Sequence, residues 1–480
     1  MERGITSYGA YIPRLRIDRT AIAAAHKWAF PSLRGKGARS LANWDEDTIT
    51  MGVEAARGAS LSCVSSICFA STTPPYADLQ NATLVASAIG LANDVASTDA
   101  SGSLRAGTSA LLDALQSNRA GDALIIASDS RRARPGSAQE MAYGAGAVAM
   151  TVGGENIIAR LTGHASRTIS FVDHYRTTGE PYDYFWEERW IRDEGYGKIL
   201  PPAIKAALGE TNLQPGDIDH FCMPTTMKGV AAAVAKNSGI KPEAVGDDLA
   251  DNCGDTGTAH GLMMLAAALE KAKPGERIMV VSFGAGCDVM LFEATDAIAS
   301  YTPSNTVSGQ IARGVAEPHY TKILSFHGEI SLDWGMRGEF NEKIAQTQAY
   351  RESNQLATFT AGKCPDCGAV QFPQLAKCVN CGSLAELSPH SLVNEAAAVA
   401  SFTADWLQFT PSPPLYFGLV NFESGARVMM EFSDVDPALL NVGAPLRMVY
   451  RIKSIDNDRH NSRYFWKAVP LAPSNEEQGA

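Results

Sequence analysis

Two stretches of this chain repeat one another, and that repetition constrains the fold more than any other feature. The first runs from Cys68 to Asp129, the second from Cys222 to Gly284. Each begins with an apolar strand ending in a Thr-Thr pair (Thr72-Thr73, Thr225-Thr226), then an Ala-rich helix that closes at Gly90 or Gly239. An aspartate follows (Asp99, Asp251), then a Gly/Ser/Thr-rich turn and a second Ala-rich helix ending in Ala-Leu (Ala114-Leu115, Ala268-Leu269). A polar loop leads to a strand, Ala-Leu-Ile-Ile-Ala-Ser in the first copy and Ile-Met-Val-Val-Ser in the second. The spacing from Leu115 to Ser128 equals that from Leu269 to Ser282, thirteen residues. The strands are unbroken apolar runs, and the helices carry Ala and Leu on nearly every face. Both patterns demand burial on two sides, as a layered α/β/α arrangement provides.

Composition removes several function classes. Hydrophobic residues make up 45% of the 480 and charged residues 19%, enough apolar material for large cores. Lys+Arg 41 against Asp+Glu 52 leaves −11, and a chain this acidic has no basic footprint for DNA or RNA. Gly, Asp, Ser or Thr interrupts every apolar stretch before the ~18–20 residues a bilayer span needs. The N-terminus passes straight into a strand-like run without the apolar core of a secretory signal. The expectation is a soluble, cytoplasmic protein with no nucleic-acid or membrane partner.

Four of the nine cysteines form two C-x-x-C-G knuckles, Cys364-Pro-Asp-Cys367 and Cys378-Val-Asn-Cys381, followed by Gly368 and Gly382. Two such knuckles supply four thiolates at tetrahedral spacing, and the glycines let the backbone turn its N–H groups toward the sulfurs. The alternative is two disulfides, which a chain without an export signal does not favour. The reading is structural Zn2+, because a closed four-cysteine set keeps no open position for chemistry. Beyond the knuckles, strands at 397–403, 415–420, 427–432, 446–452 and 464–468, separated by Pro, Gly and Asp turns, suggest a small OB-type barrel. The five parts are residues 1–165 and 166–300 (the two α/β halves), 301–355 (a helical connector with Trp334 and helix-like stretches around 338–352), 356–385 (zinc ribbon) and 386–480 (OB-type module).

The two halves in this order resemble the thiolase superfamily, whose fold is a duplicated five-layer α/β/α/β/α arrangement. The opening Gly4-Ile-Thr-Ser-Tyr-Gly-Ala-Tyr-Ile-Pro13 resembles archaeal-type 3-hydroxy-3-methylglutaryl-CoA synthases. So do Arg105-Ala-Gly-Thr108, Tyr143-Gly-Ala-Gly-Ala147, Lys273-Pro-Gly-Glu-Arg-Ile278 and Ser282-Phe-Gly-Ala-Gly286. The tail resembles the acyl-CoA-associated zinc-ribbon/OB domain that usually accompanies such enzymes as a separate polypeptide. The resemblance implies a coenzyme A thioester as substrate and a homodimer paired near the strand 123–128. It also implies a Cys nucleophile at a helix start, a His and a Glu, because a thiolate there is acidified by the helix dipole while the other two move protons. Here all three positions differ: Asp99-Ala-Ser-Gly-Ser-Leu-Arg105 holds no cysteine, the His position reads Cys222 within Phe221-Cys222-Met223-Pro224, and the Glu position reads Ser71-Thr72-Thr73.

The remaining candidates each carry a functional and a plainer reading. Cys222 is a displaced nucleophile or a small buried hydrophobe. Ser103, on the nucleophile stretch, is a substitute hydroxyl that would need a strong base. Asp99 acts at the site or caps a helix. Asn252, in the loop Asn252–Gly257, is an oxyanion donor that stabilises an enolate. His260 is catalytic or a core histidine, and Thr72 stands where the Glu is lost. The aromatic insertion Phe171–Tyr196, with His174, Tyr182 and Tyr184, shapes an acyl pocket or simply packs. Arg131, Arg132 and Arg134 meet coenzyme A phosphates through bidentate contacts, or form a solvated loop. The reading is an acyl-CoA carbon–carbon lyase running a retro-aldol on a β-hydroxyacyl-CoA. The alternatives are a Claisen-type condensing enzyme or acyltransferase with a relocated nucleophile, and a non-catalytic acyl-CoA-binding scaffold.

Overall fold

The computed structural model describes residues 2–335 and 343–471. By contacts the chain forms one compact unit of Met1–Asn43, Asp47–Ala86 and Leu91–Glu329, and another of Trp44–Glu46, Ser87–Gly90 and Ile330–Ala480. In the first, strands β1 (Gly4–Tyr11), β2 (Val64–Ala70), β3 (Ala96–Ala100), β4 (Asp122–Ser130), β5 (Ala145–Gly153), β6 (Ala159–Thr168), β7 (His220–Cys222), β8 (Arg277–Phe283) and β9 (Gly286–Ala294) build one sheet. Its order is β7-β8-β9-β6-β1-β5-β4-β2-β3. The two halves meet at a narrow seam, where β1 pairs with β6 only through Gly4↔Arg160 and Ile5↔Ala159. The expected boundary at 165/166 therefore falls inside β6, a strand that belongs to the second half of the sheet.

Helices α1 (Thr48–Ala56), α2 (Asn81–Ala88), α3 (Ala106–Gln116), α4 (Gly197–Gly209), α5 (Val230–Asn237) and α6 (His260–Leu269) complete the layers. The equivalent second helices of the two repeats, α3 and α6, share one central core with inward residues of β1, β4, β5, β8 and β9. Alternation explains why the strands read as continuous apolar runs: Ile278 and Val280 of β8 point into that central core, while Met279 and Val281 point into an outer core with Leu200 and Ile204 of α4. Burying one such side chain fully contributes about 1.5–3 kcal/mol. α1 covers the other face of the first half, so close to β1 that a Cβ on Gly9 would lie 2.3 Å from the Ala55 carbonyl oxygen. The layers run helix, sheet, central helices, sheet, helices. This is the duplicated α/β/α/β/α arrangement that the internal repeat implied. Among the described residues no helix is long and apolar enough to cross a membrane.

The expected connector divides. Residues 301–329 belong with the first unit, where Val315–Ala316 pairs with Leu15–Arg16. In the second unit Gln346–Arg351 is helical, while 338–342 of the expected helix lie outside the described residues. A ribbon follows: β10 (Thr360–Lys363), β11 (Val370–Gln371) and β12 (Ser388–Ser391), the last pairing with β10 and so carrying the ribbon past 385. All five expected tail strands form: β13 (Ala397–Asp405), β14 (Leu415–Phe422), β15 (Arg427–Glu431), β16 (Pro445–Asp456) and β17 (Asn461–Pro470), in the order β15-β14-β13-β16-β17. A parallel bridge, Phe432↔Ala468, brings the two ends together and closes the sheet into an OB-type barrel. This unit also buries charge. Lys467 reaches Asp45 (2.9 Å) and Glu431 (3.2 Å), and Arg451 reaches Glu46 and Asp434 (3.0 Å each).

Candidate functional site

The six side chains expected to do the chemistry are not brought together. The Asp99 carboxylate accepts from Asn81 N (2.8 Å), Asn81 Nδ2 (2.9 Å) and Ala82 N (2.8 Å), so it caps the start of α2. The Ser103 hydroxyl donates to the Gly284 carbonyl at 3.0 Å, with no base on it. Cys222 is buried in the central core, 3.5 Å from the Met264 carbonyl. Burial pushes its thiol up to about 12. A folded-state pKa above that of a free thiol means the fold retains the proton, so Cys222 is less of a thiolate at pH 7.5 than an ordinary cysteine. His260 is also buried: Nδ1 accepts from the Thr256 N–H (3.1 Å) and Nε2 donates to the Asp248 carbonyl (2.8 Å). Both ring nitrogens tie the 248–256 loop to α6. Asn252 lies half-buried on that loop, next to Asp251, whose carbonyl accepts from Ala38 N (2.8 Å).

Thr72 serves a carboxylate that sequence reasoning passed over. Asp129, at the end of β4 and fully buried, accepts from Ser71 Oγ, Thr72 N and Oγ1, Thr73 N and Oγ1 and Thr258 N, all at 2.8–3.0 Å. Six donors replace the water a buried carboxylate would lose. The Thr-Thr pair of the first repeat is thereby explained as the partner of Asp129.

Asp99 and Ser103 line a hollow of ≈620 Å³, and two further cavities lie between the insertion and the loop 132–143. One of ≈390 Å³ is lined by Arg132, Arg134, Arg176, Tyr182 and Asp183, among others. A second of ≈220 Å³ is lined by Tyr143, Asp173, Trp186, Ile191, Tyr196 and Thr226, and the two share Gln139 and Phe185 as walls. Arg131 is not free for phosphate. Its guanidinium stacks on Tyr143 (3.8 Å) and bonds Asp183 Oδ2 through Nη2 (2.7 Å) and Nε (3.1 Å), while Tyr143 Oη donates to the same oxygen (2.8 Å). Burial pulls the Arg131 pKa down, but Tyr143, Asp183 and Asp255 outweigh it and raise it. Arg131 is the buried pin that fixes the insertion to the first half. Arg132 and Arg134 do face the larger cavity, beside Tyr182, and Arg132 is held by Glu329 (2.7 Å). Arg176, which sequence reasoning missed, joins them and reaches Asp183 Oδ1 (3.2 Å). The only available signal was its place in the aromatic insertion.

In the second unit the four knuckle cysteines converge, with all sulfurs within 4.8 Å of one another. Cys364 and Cys381 are 3.8 Å apart, Cys367 and Cys378 3.6 Å. Four thiolates at ~2.3 Å around a tetrahedral zinc stand about 3.8 Å apart, whereas disulfide sulfurs are ~2.0 Å apart. Gly368 and Gly382 take φ of +74° and +76°, and their N–H groups close the knuckles onto the Cys364 and Cys378 carbonyls (2.9 and 3.0 Å). The residues fit zinc and leave no fifth group to open the site. Zinc bound there supplies folding energy, not chemistry.

Comparison with known proteins separates the two units by kinship. Residues 208–291 match the 3-oxoacyl-(acyl-carrier-protein) synthase III C-terminal family, and residues 358–386 match the ChsH2, rubredoxin-like zinc ribbon domain. The chain is 32% identical over 310 residues to the hydroxymethylglutaryl-CoA synthase of Methanopyrus kandleri, covering 62% of this chain and 88% of that one. The chain belongs to the hydroxymethylglutaryl-CoA synthase family. The synthase of Archaeoglobus fulgidus is 33% identical, with 65% of this chain and 94% of its own covered. Among solved structures, an HMG-CoA synthase complexed with CoA superposes with a TM-score of 0.59 at 17% identity, covering 72% and 95%. The 3-oxoacyl-(acyl carrier protein) synthase III of Pseudomonas aeruginosa gives 0.54 at 18%, covering 62% and 98%. These likenesses bear out the thiolase fold, the synthase resemblance and the fused zinc ribbon. In this chain Thr72 is hydrogen-bonded to Asp129 and Cys222 lies in the core against the Met264 carbonyl.

Proposed function

We propose that the chain is a condensing-type enzyme that acts on a coenzyme A thioester and forms the carbon–carbon bond next to the thioester carbonyl. The acyl part sits in the smaller cavity, and the nucleotide phosphates meet Arg132, Arg134 and Arg176 in the larger one. What carries the reading is this pair of neighbouring cavities in a hydroxymethylglutaryl-CoA synthase family chain: three arginines suited to phosphate line one, and an aromatic-walled cavity shares Gln139 and Phe185 with it. The protonated core thiol of Cys222 and the base-free hydroxyl of Ser103 favour chemistry without an acyl-enzyme. That same observation favours a second reading, the reverse reaction, in which a β-hydroxyacyl-CoA is cleaved by retro-aldol. The test is to incubate the protein with acyl-CoA, β-ketoacyl-CoA and β-hydroxyacyl-CoA esters and to follow products and peptides by mass spectrometry. We expect a joined or cleaved product, no acylated peptide, and Cys222 unlabelled by alkylating reagent in the native protein. An acylated cysteine or serine would sink the non-covalent route. Binding of the esters without any product would leave only a scaffold.

The protein is further proposed to be a homodimer. The strand 123–128 lies inside the sheet between β2 and β5, so it is not an edge. The edge is β3, mostly exposed, beside a hollow of ≈620 Å³. An uncovered edge strand invites pairing, and two β3 edges satisfy one another. Light scattering at micromolar concentration should give twice the chain mass of 51.1 kDa; a single-chain mass counts against the dimer.

A further inference from the structure

The smaller cavity holds two polar groups that the fold positions but does not consume. Asp173 takes one hydrogen bond from its neighbour, His174 Nδ1 to Oδ2 at 3.0 Å, and the imidazole is itself stacked on Phe185 (5.1 Å, 21°). Among the described residues Asp173 Oδ1 has no hydrogen-bond partner. On the same cavity, Tyr196 ends the π-helical turn Ile191–Tyr196 that leads into α4, a kind of turn found often at functional sites. Its ring packs on Phe283 (4.6 Å). Thr225, whose Oγ1 accepts from Met227 N (3.1 Å), lies beside its hydroxyl. Among the described residues the Tyr196 hydroxyl gives its proton to no carboxylate or backbone carbonyl, so the proton is open to a ligand in the cavity. Tyr143, by contrast, gives its proton to Asp183.

We propose that Asp173 and Tyr196 are an acid/base pair that replaces the missing Cys, His and Glu, acting on the β-oxygen and the thioester oxygen of an acyl-CoA. This rests on the reading of the cavity as the acyl chamber. In cleavage, Asp173 takes the β-hydroxyl proton, the O–H electrons form the new carbonyl, and the Cα–Cβ bond breaks. Its electron pair passes into the thioester as an enolate whose oxygen accepts a hydrogen bond from Tyr196. The proton on Asp173 then moves to Cα, giving the shortened acyl-CoA and a free aldehyde or ketone. Condensation is the same sequence reversed, with Asp173 removing the Cα proton. Burial, and secondarily the Asp173 charge, raises the Tyr196 hydroxyl above its ordinary value, so it stays a donor at neutral pH.

Exchange of acyl-CoA Cα hydrogens in D2O, followed by mass spectrometry, reads the enolate step directly, alongside turnover on the ester panel. Asp173→Asn and Tyr196→Phe should each slow exchange and turnover by on the order of 10²–10³, with calorimetric affinity for the ester and thermal unfolding unchanged. Asp173→Glu, which keeps the carboxylate, should recover part of the rate. Exchange and turnover within about threefold of the wild type in both variants would overturn the pair alone. A wild-type protein that neither exchanges nor turns over any ester would overturn the pair and the proposed function together. Should Asp173→Asn unfold, Tyr196→Phe, which removes one oxygen and keeps the ring on Phe283, decides the matter.

Discussion

A Cys364→Ser variant is expected to lose its zinc and, with it, the folded ribbon. The sulfurs of Cys364, Cys367, Cys378 and Cys381 already stand at the separations a tetrahedral ion sets. Around the metal the ribbon is thinly packed: β11 is two residues long, and Val379 and Leu384 are 71% and 78% exposed, while its aromatic contacts gather at Phe359 and Phe372. The knuckles themselves carry no apolar core, and structural zinc in such modules contributes an apparent ~10–16 kcal/mol. Elemental analysis of the wild type should give one zinc per chain, and limited proteolysis should spare 358–391. The variant should hold no stoichiometric metal and should be cut within that span. Freshly purified wild-type protein without tightly bound metal would refute the site.

Arg451→Met should destabilise the second unit by about 3–5 kcal/mol, because it strands buried carboxylates. The guanidinium is wholly buried and lies 3.0 Å from both Glu46 and Asp434. With it gone, both acids lose a buried guanidinium, while Asp45 keeps Lys467 and Ser433 Oγ (2.9 Å each). Methionine fills much of the volume, so the loss reports charge rather than a cavity. In calorimetry the transition of this unit should fall by roughly 10 °C, while that of the first unit stays put. A shift of about 1 °C or less would mean that the network contributes nothing net, as some buried ion pairs do.

Some of this was legible in the residues. The repeat carried the two α/β halves, because strands buried on both faces must be apolar throughout, and β8 is so buried. The knuckles carried the metal site, because four sulfurs and two glycines at fixed spacing leave the backbone few alternatives. The five tail strands could be placed from their turns, although only the Phe432↔Ala468 bridge makes the sheet a barrel. Side-chain roles were less visible. Asp99 and His260 look the same in sequence whether they meet a ligand or a backbone N–H, and here each is taken up by backbone groups. Arg131, Arg132 and Arg134 read as one cluster, yet successive side chains of an extended segment face opposite ways. One is buried against Tyr143, and the other two line a cavity.

The sequence by itself determined what depends on local period and spacing: the duplicated layers, the zinc ligands, the acidic surface and the loss of the family's nucleophile. Tertiary structure alone decided which side chains line a cavity. Cys222 ended in the core because β7 lies against α6, and burial there holds its proton. Thr72 was claimed by Asp129, 57 residues away in sequence. The insertion was folded over the loop 132–143 by the Arg131–Asp183 pair, and that closure set Asp173 and Tyr196 on one cavity. A side chain's reactivity depends on which groups surround it and whether water reaches it. Those neighbours come from residues far apart in the chain, so no local pattern records them.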